Sequence, residues 1–203
     1  MSQLILVRHG QSVWNAQNRF TGWVDSPLSE RGRTEAKEAG GRLAAEGVRI
    51  DRAFTSTLRR AIDTGRIILE TLGQDGLEQE QAWELNERFY GALIGRNKSQ
   101  TAEEFGEEQV RVWRRSYDVP PPGGESLKDT ANRTLPYFHR VIVPATLQVD
   151  VVLVSAHGNS LRSIVKELDG LGDEAVTRLE IATGVPLVYG MTGGRPATKR
   201  ILE

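Results

Sequence analysis

Two stretches of the chain share one pattern: LILVRHGQS, from Leu4, and VVLVSAHGNS, from Val151. Each is a short apolar run rich in β-branched residues that gives way at once to His-Gly-polar-Ser. Runs of this kind read as strands buried on both faces, the type found in parallel sheets covered by helices. Ligands of such sheets bind among the loops at the carboxyl ends of the strands. The repetition is too short to be a structural repeat. It predicts instead that two strands deliver one histidine each, His9 and His157, to the same edge of a sheet.

The remaining segments alternate as such a fold requires. Gly10 to Pro27 reads as a loop. Ser29 precedes a helix ending near Gly47, a suitable C-cap. RAFTS, from Arg52, reads as a second strand, and TLRRAIDTGRIILETLG as the amphipathic helix after it. A weak third strand is predicted around Leu77 to Trp83, and ELNERFYGALIGRNKSQ has no clean period and reads as loop. Thr101 with Glu104 fits a capping box opening a short helix; Ser126 with Asp129 fits another, opening a helix to about Val143. Between them DVPPPGGES, from Asp118, breaks regular structure. SLRSIVKELDG reads as a helix ending at Gly170, and VPLVYG, from Val185, as the last strand. The predicted class is α/β: a three-layer αβα arrangement whose mainly parallel sheet carries helices on both faces. At 203 residues the whole chain, 1–203, is expected to form one domain.

Bulk charge narrows the function. The 26 basic and 27 acidic residues nearly cancel, so no net field favours nucleic acid or a membrane surface. An anion site must therefore be built locally. The chain has no cysteine, which excludes disulfides and thiolate chemistry. No apolar run approaches membrane length, and the N-terminus lacks the pattern of a secretion signal; a cytoplasmic enzyme is expected.

Two histidines could hold a metal, but a metal site wants three or four ligands, and Arg8 beside a cation would be electrostatically poor. Phosphate fits arginine better, because guanidinium forks bind its oxygens bidentately and stay charged. Arg59 and Arg60 follow the second strand where loop becomes helix, a position that opposes the helix dipole. Arg59 alone reads as solvated. With phosphate bound, His9 would act as a nucleophile toward phosphorus. His157 would serve better as a cation that stabilises charge building on the oxygens. The third histidine, His139, lies within a predicted helix and reads as structural or solvated.

Together these blocks resemble the histidine phosphatase superfamily, also called phosphoglycerate-mutase-like. RHGQS carries its RHG signature and SAHGNS its second histidine block. Within it the chain is most similar to the cofactor-dependent phosphoglycerate mutases, through NRFTGWVDSPLSERG, TSTLRRAIDT, ELNERFYGALIGRNKSQTAE, QVRVWRRSYDVPPP, SAHGNSLRSIVKEL and TGVPLVY. These blocks cover most of the chain in the expected order. The resemblance implies a phosphoglycerate mutase-like fold and interconversion of 3-phosphoglycerate and 2-phosphoglycerate in glycolysis and gluconeogenesis. The reaction would pass through phosphorylated His9, primed by 2,3-bisphosphoglycerate, with no metal. It also implies a homo-oligomer, dimer or tetramer, acting on a small phosphorylated substrate.

Residue roles follow from the same resemblance. His9 would be the nucleophile and Glu87 the proton donor and acceptor, although the charged stretch around Glu87 would by itself make it a surface residue. Arg8, Arg60 and His157 would surround the transferred phosphoryl group. Gly10, Gln11, Ser12, Val13, Trp14, Asn15, Thr21 and Gly22 would line the site from the first loop. Arg88, Phe89, Tyr90, Lys98, Arg114, Arg115, Gly158 and Asn159 would hold the rest of the ligand. Arg114 and Arg115 after Trp113, with Lys98, suit a clamp on a second anion, as a substrate with phosphate at one end and carboxylate at the other requires.

Departures from the mutase pattern are few. Residue 11 is Gln where Glu is usual. The connection after Asp118 is short where a long insertion is usual, and the chain stops soon after its last predicted strand, where many relatives carry a mobile tail. Both segments help cover the site, and water exclusion separates phosphoryl transfer from hydrolysis. Two other readings remain at this point: a histidine-type phosphomonoesterase of the same superfamily, and a noncatalytic module that binds a phosphorylated ligand. Acid-labile label on the protein would set the catalytic readings apart from the second.

Overall fold

A computed structural model describes residues 1–203. One six-stranded sheet runs through it, ordered β3-β2-β4-β1-β5-β6. The strands are β1 (Ser2–Arg8), β2 (Arg52–Thr55), β3 (Gln79–Gln81), β4 (Val151–Ala156), β5 (Pro186–Thr192) and β6 (Arg195–Ile201). β1, β2, β3 and β4 pair in parallel, and β5 and β6 are antiparallel to their neighbours. The sheet is thus mixed, parallel where the histidine strands lie.

The apolar run of β1 shows why both faces must be covered. Side chains alternate across a strand. Leu4 and Leu6 enter one core with Tyr137, Phe138, Ile142, Leu161 and Ile164, from helices α6 (Leu127–Tyr137) and α8 (Gly158–Asp169) and the turn between α6 and α7 (Val143–Gln148). Ile5 and Val7 enter the other with Ala39, Leu43, Ile68 and Leu69, from α2 (Glu30–Ala45) and α3 (Arg59–Thr71). Leu4, Ile5, Leu6 and Val7 are fully buried. Each such side chain contributes roughly 1.5–3 kcal/mol. The three-layer architecture follows directly from that alternation.

Register places the two histidines level. Arg8 pairs with Ala156 across β1 and β4, and the His9 amide donates to the Ala156 carbonyl at 2.9 Å. His9 and His157 are the next residues of adjacent parallel strands.

Several expectations need correction. The first loop contains a single helical turn, α1 (Val13–Ala16), capped reciprocally by Ser12 and Asn15. The helix expected at Thr101 begins earlier, as α4 (Lys98–Phe105). Asn97 caps it through Oδ1, which accepts from the Ser99 and Gln100 amides, while Glu104 pairs with Arg96 instead of reaching back to Thr101. Another helix, α5 (Glu107–Arg115), follows at once. The helix from Ser126 keeps its capping box but runs past Val143 to Gln148, through a π turn at Phe138–Ile142. Pro144 has no N–H for the Arg140 carbonyl, so the regular ladder cannot pass this point. A short helix, α9 (Asp173–Arg178), follows α8. The last predicted strand is the first half of a hairpin turning at Gly193-Gly194; β6 was illegible because every residue of it is exposed or partly so. No helix is long and apolar enough to cross a membrane.

Candidate active site

Residues that follow the carboxyl ends of β1, β2 and β4, among them His9, Arg60 and Gly158, line a cavity of about 150 Å³. His9 is buried there. Its Nδ1 lies 2.7 Å from the Gly10 carbonyl oxygen, a contact that only a protonated Nδ1 satisfies. Nε2 is thereby left with its lone pair, and it accepts from Arg60 Nε at 3.3 Å. Burial, then the charges of Arg60 and Arg8, hold the His9 imidazole well below its ordinary pKa. The ring is neutral, as a nucleophile must be.

A close backbone approach supports this turn. A Cβ on Gly10 would sit 2.1 Å from the Gly32 carbonyl oxygen, and a Cβ on Gly32 would sit 2.1 Å from that of Gln11. Only paired glycines let the His9 turn lie on the start of α2. The Gly10 amide then donates to Thr64 of α3.

Arg60 is a buried cation on the first turn of α3. Its guanidinium donates to the carbonyls of Gly22 and Val24 at 2.8 and 2.9 Å, which fixes the first loop against the site. Burial draws its pKa down to about 10, leaving it charged at neutral pH. Arg59 is exposed, as expected. His139 is also exposed and faces Glu167.

His157 begins α8, and its ring centroid lies 4.9 Å from that of His9. Its Nε2 shares a hydrogen bond with Ser56 Oγ at 2.7 Å. The sequence reading makes it a cation with phosphate bound; the ligand-free site is a different state. Burial, then the positive charges of Arg60 and its neighbours, push His157 well below its ordinary pKa. Without an anion, nothing offsets the cost of charging it.

Glu87 is buried rather than on the surface. Arg133, on α6, fixes its backbone by donating to the Glu84, Asn86 and Glu87 carbonyls while paired with Glu125. The Glu87 carboxylate accepts from Asn159 Nδ2 at 2.7 Å and the Arg88 amide at 2.7 Å. Burial, the largest influence, would raise its pKa. The Asn159 and Arg88 hydrogen bonds, then Arg60 and Arg8, outweigh it and hold the group below its ordinary value.

Around these groups the cavity wall carries Arg8, Asn15, Thr21, Gly22, Arg60, Tyr90, Lys98, Arg114, Arg115, Gly158 and Asn159, all expected there. Lys98 comes from α4, and Arg114 and Arg115 from the end of α5. Burial lowers both Lys98 and Arg114 from their ordinary values.

Other expected residues stand behind the wall. Gly10 is turned toward Gly32. Gln11 and Ser29 are joined by hydrogen bonds at the start of α2. The Ser12 hydroxyl is spent on capping α1, which also holds Val13 and Trp14. Phe89 packs against Trp23. Arg88 is buried against the Tyr90 ring and donates to the Arg114 carbonyl. These residues shape the lining without forming it.

Four lining residues escaped the sequence reading: Arg19, Phe20, Arg162 and Glu180. Arg162 lies one helical turn beyond Asn159, a spacing that could have revealed it. Arg19 and Phe20 adjoin Thr21. Glu180 gives no signal, since an acid is the wrong charge for such a cavity.

The surroundings fit a phosphorylated, bis-anionic ligand. Two wall atoms, Arg8 Nε and Thr21 Oγ1, are buried without a hydrogen-bond partner. Gly158 opens the 12-residue α8 beside Arg8, where a Cβ would lie 3.6 Å from Arg8 Nε. A helix N-terminus meeting a cluster of guanidinium groups is suited to phosphate. No group of three or more His, Asp or Glu side chains is arranged to hold a metal ion.

Comparison with known proteins agrees with this geometry. The family model described as Histidine phosphatase superfamily (branch 1) matches residues 4–202. A 2,3-bisphosphoglycerate-dependent phosphoglycerate mutase of Parvibaculum lavamentivorans is 58% identical over 202 residues, covering 98% of this chain and 96% of the relative. The protein of that name from Brucella ovis is 54% identical, covering 98% of each chain. Among solved structures, a mycobacterial glucosyl-3-phosphoglycerate phosphatase superposes with a TM-score of 0.83 at 26% identity, over 99% of this chain and 97% of its own. The Bacillus stearothermophilus protein YhfR superposes at 0.84 with 26% identity, over 97% and 95%.

Proposed function

The chain belongs to the histidine phosphatase superfamily, and from that premise we propose that it is a 2,3-bisphosphoglycerate-dependent phosphoglycerate mutase. The observation that carries the reading is the second set of cations. Arg114, Arg115 and Lys98 line the same cavity as His9 but come from the separate helices α4 and α5. A simple phosphomonoesterase needs charge around one phosphate; this cavity has charge for a second anion.

When bound, 2,3-bisphosphoglycerate supplies the phosphoryl group that His9 carries. Arg8, Arg60, Asn15, Thr21 and the start of α8 hold that group, and Arg114, Arg115 and Lys98 hold the other anion. In the forward transfer the C2 hydroxyl oxygen of 3-phosphoglycerate bonds to phosphorus as the His9 Nε2–phosphorus bond breaks. Glu87, held as a carboxylate, takes the hydroxyl proton. In the second transfer His9 Nε2 attacks the C3 phosphate, the ester oxygen leaves, and Glu87 returns the proton to it. His157 becomes a useful cation once an anion offsets its burial. The working unit is a homo-oligomer, dimer or tetramer, in the cytoplasm, and residues 1–203 form one domain.

A hydrolytic side activity has its own support. The connection 118–126 lies back on the Phe89–Ala92 segment, where Pro122 accepts from the Ala92 amide and Glu125 donates to the Phe89 carbonyl. None of it lines the cavity. This connection therefore does not exclude water from phosphorylated His9. The deciding experiment is a coupled assay of 3-phosphoglycerate conversion to 2-phosphoglycerate, with and without 2,3-bisphosphoglycerate, alongside release of inorganic phosphate. Phosphate release without conversion would make the chain a phosphatase.

A further inference from the structure

Glu180 is a carboxylate in a cavity otherwise built for anions. The other acid there, Glu87, is buried and held by Asn159. Glu180 is different. Its side chain is 64% exposed, yet it reaches Arg115 with one oxygen and Arg162 Nη2 with the other, at 3.5 Å. Arg162 is held from behind and cannot follow it. Arg162 Nε donates to the Leu179 carbonyl at 2.7 Å, and Nη1 to Asn159 Oδ1 at 3.3 Å. The backbone beside Glu180 is fixed too, because the Ile181 carbonyl accepts from Arg8 Nη1 at 2.8 Å. What remains free to move is the Glu180 carboxylate itself, which can turn into water.

We propose that Glu180 is a built-in stand-in anion: its carboxylate occupies the Arg115–Arg162 end of the cavity until the second anionic group of a ligand displaces it. The inference rests on the mutase reading and deepens it by assigning a residue that sets the grip on the far anion. A ligand with one anion can bind at His9 and leave Glu180 in place. A ligand with anions at both ends must break the two contacts. Affinity for the far end is thereby reduced. A mutase gains from that reduction, because its bisphosphorylated species must let go of both ends in order to turn around.

The test is Glu180→Gln, a change at an exposed side chain. Calorimetry with 3-phosphoglycerate and with inorganic phosphate gives the affinity for two-ended and one-ended anions, and the coupled assay gives kcat and KM. Removing two ion pairs whose carboxylate is solvent-exposed should tighten 3-phosphoglycerate binding by about three- to tenfold. Phosphate affinity should change by less than about twofold, and kcat should fall together with KM as reorientation slows. Unchanged or weaker binding of 3-phosphoglycerate, or an equal shift for both probes, would overturn the proposal. A wild-type chain that binds 3-phosphoglycerate without isomerising it would instead defeat the mutase reading, and the binding comparison would still decide the role of Glu180.

Discussion

Arg60 Nε lies 3.3 Å from His9 Nε2, so the lone pair of the proposed nucleophile already faces a fixed cation. The other ring nitrogen is tied to the Gly10 carbonyl. The two contacts select one tautomer and one ring orientation, and they put Nε2 beside a guanidinium that the oxygens of a bound phosphoryl group would contact.

His9→Ala should therefore abolish both isomerisation and hydrolysis. The neighbouring His157 is also uncharged in the free site, but its Nε2 is hydrogen-bonded to Ser56 Oγ and its ring does not line the cavity, while the Glu87 carboxylate is engaged by Asn159 and Arg88. Incubation with labelled 2,3-bisphosphoglycerate should place acid-labile label on the wild-type chain and none on the variant. Residual turnover in the variant would require a second nucleophile and would remove the mechanism.

Glu87→Gln keeps the shape and most hydrogen bonds but cannot move a proton. General acid–base groups contribute about 10²–10⁴-fold, so kcat should fall by that order with KM changed little. A variant that loses substrate affinity while keeping kcat would make Glu87 a binding residue.

Much of this arrangement was legible in the sequence, for identifiable reasons. The strands of His9 and His157 are buried on both faces, so their apolar runs are unbroken and their ends marked. Ser29 and Ser126 announce their helices because each hydroxyl caps the backbone. Strand β6 faces solvent and carries no such pattern. Asn97 competed with Thr101 as a helix cap, and its better position shows only in three dimensions. Burial of Glu87 depends on Arg133, distant in the chain, gripping the carbonyls around it. The charge of His157 depends on the ligand, and its sequence setting, nearly that of His9, does not show the difference between the free and the phosphate-bound states.

The histidine pair makes a pH prediction. Both folded-state pKa values lie well below the ordinary value of 6.5. The unfolded chain thus takes up protons that the ligand-free folded chain refuses. Stability should fall as pH drops below about 6.5, by up to about 1.4 kcal/mol per histidine for each pH unit, until the folded-state values are reached. Thermal unfolding between pH 7.5 and 5.5 measures this. Inorganic phosphate should restore more stability at pH 5.5 than at 7.5 if His157 protonates around it. A Tm that does not fall on acidification would mean that the free site accepts protons.

Metal removal separates this chemistry from a metal-assisted mutase. The guanidinium groups of Arg8 and Arg60 supply the charge that a metal would otherwise provide. Activity should persist in excess chelator, and it should start slowly without 2,3-bisphosphoglycerate and rise when that compound is added. Inactivation by chelator, reversed by manganese or magnesium, would contradict the assignment.

The last prediction concerns Arg114 and Arg115, changed together to Ala. Both lie at the end of α5, and Arg88 holds the Arg114 carbonyl, a backbone contact that the substitutions leave in place. The groups around His9 come from other elements, so phosphoryl activation should survive. What should be lost is the hold on the far anion. Each charge-assisted hydrogen bond removed is worth roughly 1.5–3 kcal/mol, which lowers affinity for 3-phosphoglycerate by at least about tenfold. Hydrolysis of a one-anion phosphomonoester should change far less, and should rise relative to isomerisation because a loosely held intermediate meets water. Both activities belong on one preparation. Equal loss of the two would mean that the pair supports the fold or the phosphoryl site, and the second-anion argument for a mutase would fail with it.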